Sequence, residues 1–261
     1  MTASAGSAGI VGGRVKRILD LAIGLPALIL LSPLFLLAAV CVCLSSPGPA
    51  LFRARRVGVG GRVFDIYKFR SMRAATAVGP KITEAGDSRI TPLGRLMRVT
   101  KLDELPQLLN VVRGQMSVVG PRPEEEEVLN SDYPEGIRRE ILRARPGLTG
   151  LLQVRVFPDM TNEIVPEGMD PQEFYRLDQL PRRVAVDLDY VRHWSAGRDI
   201  GIIFRTIGLI LFRAPWILVF GRRPVLLALP PVEDPGVLSQ FAAIRRAAAG
   251  AGGGGAEGER L

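Results

Sequence analysis

An α+β, mainly helical protein with a membrane-bound N-terminus is what this sequence predicts, and three observations predict it. The run Leu21 to Leu44 has 24 residues without a charge, and a helix crosses a bilayer in about 20. Several later segments repeat apolar residues at helical spacing. One short β-prone stretch, Val63 to Phe69, follows the Gly-rich turn Val57-Gly58-Val59-Gly60-Gly61-Arg62, which gives a small domain a short β-hairpin. The chain of 261 residues has a mean hydropathy of +0.19 and is 47% apolar. That is apolar for a soluble domain of this length, yet too short for a multi-span transporter.

Charge and composition narrow the chemistry. There are 34 Lys plus Arg against 26 Asp plus Glu, a net charge of +8. Anionic partners such as phosphates or lipid headgroups suit that balance. A nucleic-acid binder would also be basic, but the apolar anchor and the sparse mixing of aromatic with basic residues disfavour it. Cys41 and Cys43 both lie in the apolar run and cannot staple a fold, which fits a reduced compartment. With His193 as its one histidine, the chain is poorly equipped for a His/Cys zinc site or a His-based triad.

The chain divides into a disordered lead-in (1–13), a membrane segment (14–49), a catalytic-sized domain (50–222) and a flexible tail (223–261). The membrane segment is flanked by basic residues at both ends, Arg14, Lys16 and Arg17 before it and Arg53, Arg55 and Arg56 after it. Pro26 and Pro33 interrupt it, and an interior proline removes a helical hydrogen bond. A straight span and a hairpin turning near Ser32-Pro33 both remain open on these residues. Two equally basic ends favour the same side for both, and Ser32 can bond a carbonyl that the proline frees.

Beyond the hairpin, Thr91 to Val99 reads as a basic amphipathic helix. Glu104 to Arg113 places Leu105, Leu108, Leu109 and Val112 on one face, with Gly114 closing the helix. Glu124 to Glu127 reads as a solvated first helical turn, and Arg145-Pro146-Gly147 breaks the chain. Residues 74–88 and 155–182 read as irregular. Val184 to Trp194 and Ile200 to Phe212 are helical. The charges Arg205 and Arg213 make Ile200 to Phe220 an interface-lying or core helix rather than a second span.

The stretch Thr100-Lys101-Leu102-Asp103-Glu104-Leu105-Pro106-Gln107 carries the chemistry. Pro106 belongs in a first helical turn, which puts Asp103 near the N-cap, and a cap is the plain explanation of both acids. The sharper one is that adjacent carboxylates share a divalent ion such as magnesium while one stays free as a nucleophile. Arg122, held between Pro121 and Pro123, is a stiff phosphate clamp. Lys68 is a second cation among aromatics. Together these describe a site for phosphate, metal and carboxylate beside a membrane.

The same residues resemble the bacterial sugar transferase family, the monotopic polyprenyl-phosphate phosphoglycosyl transferases. The similarity runs through Lys16-Arg17-Ile18-Leu19-Asp20, Leu31-Ser32-Pro33, Ser46-Pro47-Gly48-Pro49 and Phe52-Arg53-Ala54-Arg55-Arg56-Val57-Gly58. It continues in Tyr67-Lys68-Phe69-Arg70-Ser71-Met72, Leu102-Asp103-Glu104-Leu105-Pro106-Gln107, Gly120-Pro121-Arg122-Pro123, Arg145-Pro146-Gly147-Leu148-Thr149-Gly150 and Asp189-Tyr190-Val191. It implies transfer of a phosphosugar from a UDP-sugar to undecaprenyl phosphate with release of UMP, starting a lipid-linked glycan. By that resemblance Asp103 is the nucleophile and forms an aspartyl phosphosugar. Glu104 joins it in holding Mg2+, and Lys68, Arg98 and Arg122 neutralise phosphate. The resemblance also implies a re-entrant hairpin broken at Ser32-Pro33 and a monotopic protein whose domain lies on the cytoplasmic face of the cytoplasmic membrane, against its lipid. Thr149-Gly150-Leu151-Leu152-Gln153-Val154-Arg155 departs from the family pattern and leaves the sugar and nucleotide contacts unassigned. The sugar, the glycan pathway and any homo-oligomer stay open. The rival reading is a non-catalytic basic protein that holds anionic lipid at the membrane surface.

Overall fold

The computed structural model describes residues 9–73, 88–157, 168, 170–220 and 231–252. The expectations for residues 1–8, for the loop at 74–87, for most of the stretch between Val156 and Asp170, and for the ends of the tail lie outside these. The described residues are mainly helical, with one β-hairpin and one further strand pair.

Helices α1 (Gly13–Leu30) and α2 (Ser32–Ser45) meet at Leu31 with a bend of 58°. The break falls where the sequence places it. Pro33 has no N–H for the carbonyl of Ile29, and Ser32 Oγ donates to that oxygen instead at 2.7 Å. Pro26 lies inside α1 without ending it. One face of α1 is buried in the domain, where Gly24 lets the helix approach Val111. Ile29, Leu30, Leu36, Leu37 and Leu44 are exposed.

Of the basic flank before the apolar run, Arg14 is exposed, but Lys16 and Arg17 turn toward the domain. Lys16 is 1% exposed and ion-paired to Asp199, and Arg17 donates to the carbonyls of Val111 and Val112. Within the expected lead-in, Gly9 to Gly12 lead directly into α1. Val11 is buried, and its N–H donates to the Arg143 carbonyl.

Strands β1 (Leu51–Val57) and β2 (Val63–Phe69) pair antiparallel from Leu51 opposite Phe69 to Val57 opposite Val63. The Gly-rich stretch is their turn. Gly60 and Gly61 have φ of 68° and 80°, where a side chain would be strained. Helix α3 (Pro92–Thr100) is capped by Thr91, whose hydroxyl accepts from the Gly94 N–H. A tight 3₁₀ turn, Leu102–Gln107, follows and packs on β2, and only then does α4 (Leu108–Val112) begin. The helix expected over Glu104 to Arg113 is therefore two elements. Of the expected stripe only Leu108 is buried, while Leu105, Leu109 and Val112 are half-buried and Gln107, Asn110 and Val111 are buried beside it. Asn110, fully buried, donates to the Asp65 carbonyl and accepts from the Tyr67 N–H, and so ties α4 to the hairpin.

Strand β3 (Ser117–Val119) runs parallel to β4 (Gly147–Thr149). Between β3 and α5 (Glu126–Ser131) lies the Pro121-Arg122-Pro123 loop. A Cβ on Gly120 would sit 2.3 Å from the Arg145 carbonyl, so only glycine lets the loop cross β4 this closely. Helices α6 (Glu135–Ile141) and α7 (Leu151–Arg155) complete this half.

The segment expected to be irregular up to residue 182 is helical from Pro171. Helix α8 (Pro171–Phe174), a π turn (Tyr175–Gln179) and α9 (Leu180–Arg192) follow one another directly. Proline at the first turn of α9 needs no donor, which is how Pro181 is accommodated. Helices α10 (Ala196–Gly208) and α11 (Ala214–Phe220) join through a π turn into one rod, Ala196–Phe220. This rod is long and apolar enough to cross a membrane, and 17% of its apolar window is buried. The tail carries α12 (Pro235–Gly252), whose Val237 and Phe241 are buried among α6 and α9 residues.

Candidate active site

The 3₁₀ turn puts Asp103 and Glu104 one after the other against β2. Neither acts as a helix cap. The residue at the cap position is Lys101, in the left-handed region at φ 60°, and no side chain caps the turn. A non-glycine residue there is strained, and it brings a fourth cation to the acids, beside Lys68, Arg98 and Arg122. The sequence shows Lys101 inside the stretch Thr100 to Gln107 but assigns it no role.

Glu104 Oε1 accepts from Lys68 Nζ at 2.8 Å, both side chains being mostly buried. Burial works against the charged form of Glu104. Lys68, Lys101 and Arg122 outweigh it and hold the carboxyl well below the usual range. Asp103 differs. It is 8% exposed, and its Oδ1 has no hydrogen-bond partner. Burial, then the neighbouring Glu104, pushes its carboxyl up against the pull of Lys101, Lys68 and Arg98. A buried carboxylate oxygen left unmatched is costly in a merely structural role.

A cleft of about 580 Å³ opens beside this pair. Lys68, Glu104, Arg122 and Pro123 line it, and so do Gln107, Gln153, Glu124, Tyr175 and Arg183. Asp103 and Arg98 lie outside its wall, and Pro121 lines a small pocket next to it. Ser32 and Pro33 belong to the helix break. Glu124 and Glu125 are not a solvated helical turn. They precede α5 and pair with Arg183 and Arg56, both lining the cleft.

The far end of the cleft holds residues that no motif flagged. Arg183 donates to Glu124 Oε1 at 2.8 Å and to the Tyr175 hydroxyl. Asp187, one helical turn on, is 5% exposed, with an unmatched Oδ1. Burial, resisted by Arg183, raises its carboxyl to about 7. An acid and a base four apart on a helix ordinarily read as a surface pair, so the sequence carries no signal for them.

Adjacent hard-oxygen donors, one of them with an unmatched buried oxygen, suit a magnesium ion, which takes one or two carboxylates and completes its shell with phosphate and water. Among the described residues no group of three or more His, Cys, Asp or Glu forms a complete protein-only cage.

Cations set against acids line the cleft, with an unmatched buried carboxylate beside it, an arrangement suited to an enzyme that handles phosphate. Residues 11–213 match the family described as bacterial sugar transferase, and the chain belongs to that family and is a transferase. It is 42% identical over 201 residues to a UDP-glucose:undecaprenyl-phosphate glucose-1-phosphate transferase of Caulobacter vibrioides, covering 75% of this chain and 69% of the relative. Identity is also 42% over 200 residues to a protein of the same name from Xanthomonas campestris, of which the matched region covers 38%. The exopolysaccharide production protein ExoY of Rhizobium meliloti is 37% identical over 213 residues, covering 76% of this chain and 85% of the relative.

Proposed function

We propose that the chain transfers a phosphosugar from a UDP-sugar to undecaprenyl phosphate, as the first step of a lipid-linked glycan such as an exopolysaccharide. The observation that carries this reading is Asp103, a buried carboxylate with an unmatched oxygen amid Lys68, Lys101 and Arg98.

In the proposed reaction an Asp103 oxygen attacks the sugar-bearing phosphorus. The bond to the bridging oxygen breaks, and UMP leaves with the electron pair. A phosphate oxygen of the lipid then attacks the aspartyl phosphosugar, and the Asp103–phosphorus bond breaks to restore the carboxylate. A carboxylate approaching a diphosphate meets repulsion, and Lys68, Arg98 and Arg122 lower it. Glu104, held ionised by its cations, keeps Lys68 oriented beside Asp103. Asp103 and Glu104 would hold the magnesium ion, which when bound neutralises diphosphate charge.

The geometry also supports a re-entrant, monotopic arrangement with the domain on the cytoplasmic face. The start of α1 is tied to the domain by Lys16 and Arg17. The end of α2 is tied to it by Arg70, which donates to the carbonyls of Val42, Ser46 and Pro47. Both ends of the bent pair therefore stay with one domain, and the rod Ala196–Phe220 can lie along the interface beside it. Tags at residues 5 and 240 should both be cytoplasmic, and opposite sides would restore a straight span.

The functional test is UMP release by purified protein given magnesium, undecaprenyl phosphate and a panel of UDP-sugars, with UDP-glucose first. Release with at least one sugar, together with a phosphosugar trapped on Asp103 when lipid is left out, is expected. Lipid binding without UMP release from any sugar would favour the non-catalytic rival.

A further inference from the structure

We propose that Gln107 and Gln153 form the sugar subsite of the cleft, where their carboxamides read pyranose hydroxyls of the UDP-sugar. The inference rests on the phosphoglycosyl reading of the cleft, and it assigns the sugar contacts that the sequence motifs leave open.

Both side chains line the cleft, and neither carboxamide hydrogen-bonds to another group among the described residues. Gln107 is 3% exposed, and Gln153 Oε1 is buried without a partner. That is costly where nothing else binds, because a buried amide gives up its water. Asn110, three residues on from Gln107, shows a structural amide in the same segment. It is fully buried, donates to the Asp65 carbonyl and to Gln115 Oε1, and accepts from the Tyr67 N–H. At the far end of the cleft the polar groups also hold one another, with Arg183 donating to Glu124 and to the Tyr175 hydroxyl. The two glutamines, by contrast, keep their donors and acceptors for a ligand.

Their place selects the sugar among the parts of a UDP-sugar. Glu104 and Gln107 stand three apart in the 3₁₀ turn Leu102–Gln107, and side chains at that spacing eclipse, about 6 Å apart along the axis. Gln107 thus rises from the same edge as the carboxylate that holds Lys68. Strand β4 packs against this turn and α7 follows β4 at once, which brings Gln153 to the neighbouring wall. Gly150 leaves room for it there, since a Cβ would lie 2.6 Å from Gln153 Oε1. The sugar hangs directly from the transferred phosphorus, whereas uracil stands beyond a second phosphate and a ribose. Amides within a turn of Asp103 and Glu104 therefore meet the sugar first. Ile66 and Leu148 add apolar surface to the cleft for the C–H face of the ring. A carboxamide offers both donor and acceptor, as a hydroxyl does, so two of them can sense where a pyranose carries its hydroxyls.

The test uses the full-length protein with magnesium and undecaprenyl phosphate, read as kcat/KM for UMP release. The substrates are the panel of UDP-sugars and the mono-deoxy analogues of the one used best, with UDP as competitive inhibitor. Gln107→Met and Gln153→Met keep the length of the side chain and remove the amide. Each is expected to lower kcat/KM for the best UDP-sugar at least tenfold and to leave inhibition by UDP within threefold of wild type. With the analogue lacking the hydroxyl that a glutamine reads, the further loss from that substitution should fall below threefold. An equal loss with every analogue would overturn the proposal in favour of a structural role. UDP inhibition weakened as much as turnover would overturn it in favour of a nucleotide contact, and so would turnover unchanged in both variants. Gln153→Met carries the test where Gln107→Met does not fold. A wild type that releases no UMP would instead end the transfer reading, and titration of the same UDP-sugars and of UDP would then decide the subsite. Tighter binding of a UDP-sugar than of UDP, lost in the methionine variants, is expected, and equal binding of both by the wild type would overturn the proposal.

Discussion

Two buried clusters of cation and carboxylate can be set side by side in this protein. In one, Lys16 Nζ lies 2.6 Å from Asp199 Oδ2 and 2.8 Å from the Tyr190 hydroxyl, which donates to Asp199 Oδ1, and Trp194 Nε1 also donates to Asp199. The lysine also lies within 6 Å of the Tyr190 and Trp194 rings. No side-chain atom of Lys16, Tyr190 or Asp199 is left unmatched. In the other, Lys68 meets Glu104 and the neighbouring Asp103 keeps an oxygen without a partner. Both clusters set a lysine against a carboxylate, the first out of water and the second at the wall of the cleft. The difference lies in satisfaction. The first uses every group to hold α1 to α10, and the second leaves one buried oxygen unmatched, which is what the proposed chemistry needs.

The largest effect expected from this contrast is at Asp103. Asp103→Asn should lower UMP release by more than about 10³-fold, since it removes the proposed nucleophile rather than a helper. The same change should stabilise the fold. The Asp103 carboxyl is raised, by burial first and then by Glu104. Its contribution to stability is thus present below the ordinary carboxylate range and lost as pH rises through the raised value. The variant has no such loss. Its unfolding midpoint should exceed that of the wild type at pH 8, and the gap should close toward pH 4. A variant both inactive and less stable at pH 8 would place Asp103 with the structural cluster.

Lys16→Met is the mirror experiment. Removing one member of a buried pair leaves Asp199 uncompensated and typically costs about 3–5 kcal/mol. The unfolding midpoint should drop accordingly, while kcat/KM, measured at a temperature where the variant is folded, should stay within threefold of wild type. A collapse of turnover in folded protein would mean that the α1 anchor also shapes the cleft.

How much of this was legible in the sequence follows from how local each cause is. The break at Ser32-Pro33 was readable because a proline acts on the carbonyl four residues before it. That Lys68, Glu104 and Arg122 come together was readable because each lies in a short ordered stretch that the family resemblance aligns. The tertiary sense of a charge was not. Lys16 and Arg17 look like a lipid-facing flank in sequence, and burial against Asp199 and α4 turns them inward. Asp103 reads as a cap, yet the tight turn that begins after Lys101 leaves it uncapping and unmatched. Arg183 and Asp187 are one turn apart on a helix, an arrangement usual at surfaces, and only the packing of α9 over the loop makes them interior.

The smallest effect tests how completely the anchoring cluster is satisfied. Tyr190 is 1% exposed, and its hydroxyl stands between Lys16 Nζ and Asp199 Oδ1. Tyr190→Phe keeps the ring, and with it the contact of the Lys16 cation with the aromatic face. It removes one donor from the carboxylate and one acceptor from the ammonium. The direct Lys16–Asp199 bond and the Trp194 donor remain. The loss should be about 1–2 kcal/mol, a fraction of that for Lys16→Met, with UMP release unchanged. If Tyr190→Phe instead cost as much as Lys16→Met, the hydroxyl would be the member on which the ion pair depends. The cluster would then be as conditional as the one around Asp103, and satisfaction alone would not separate the two.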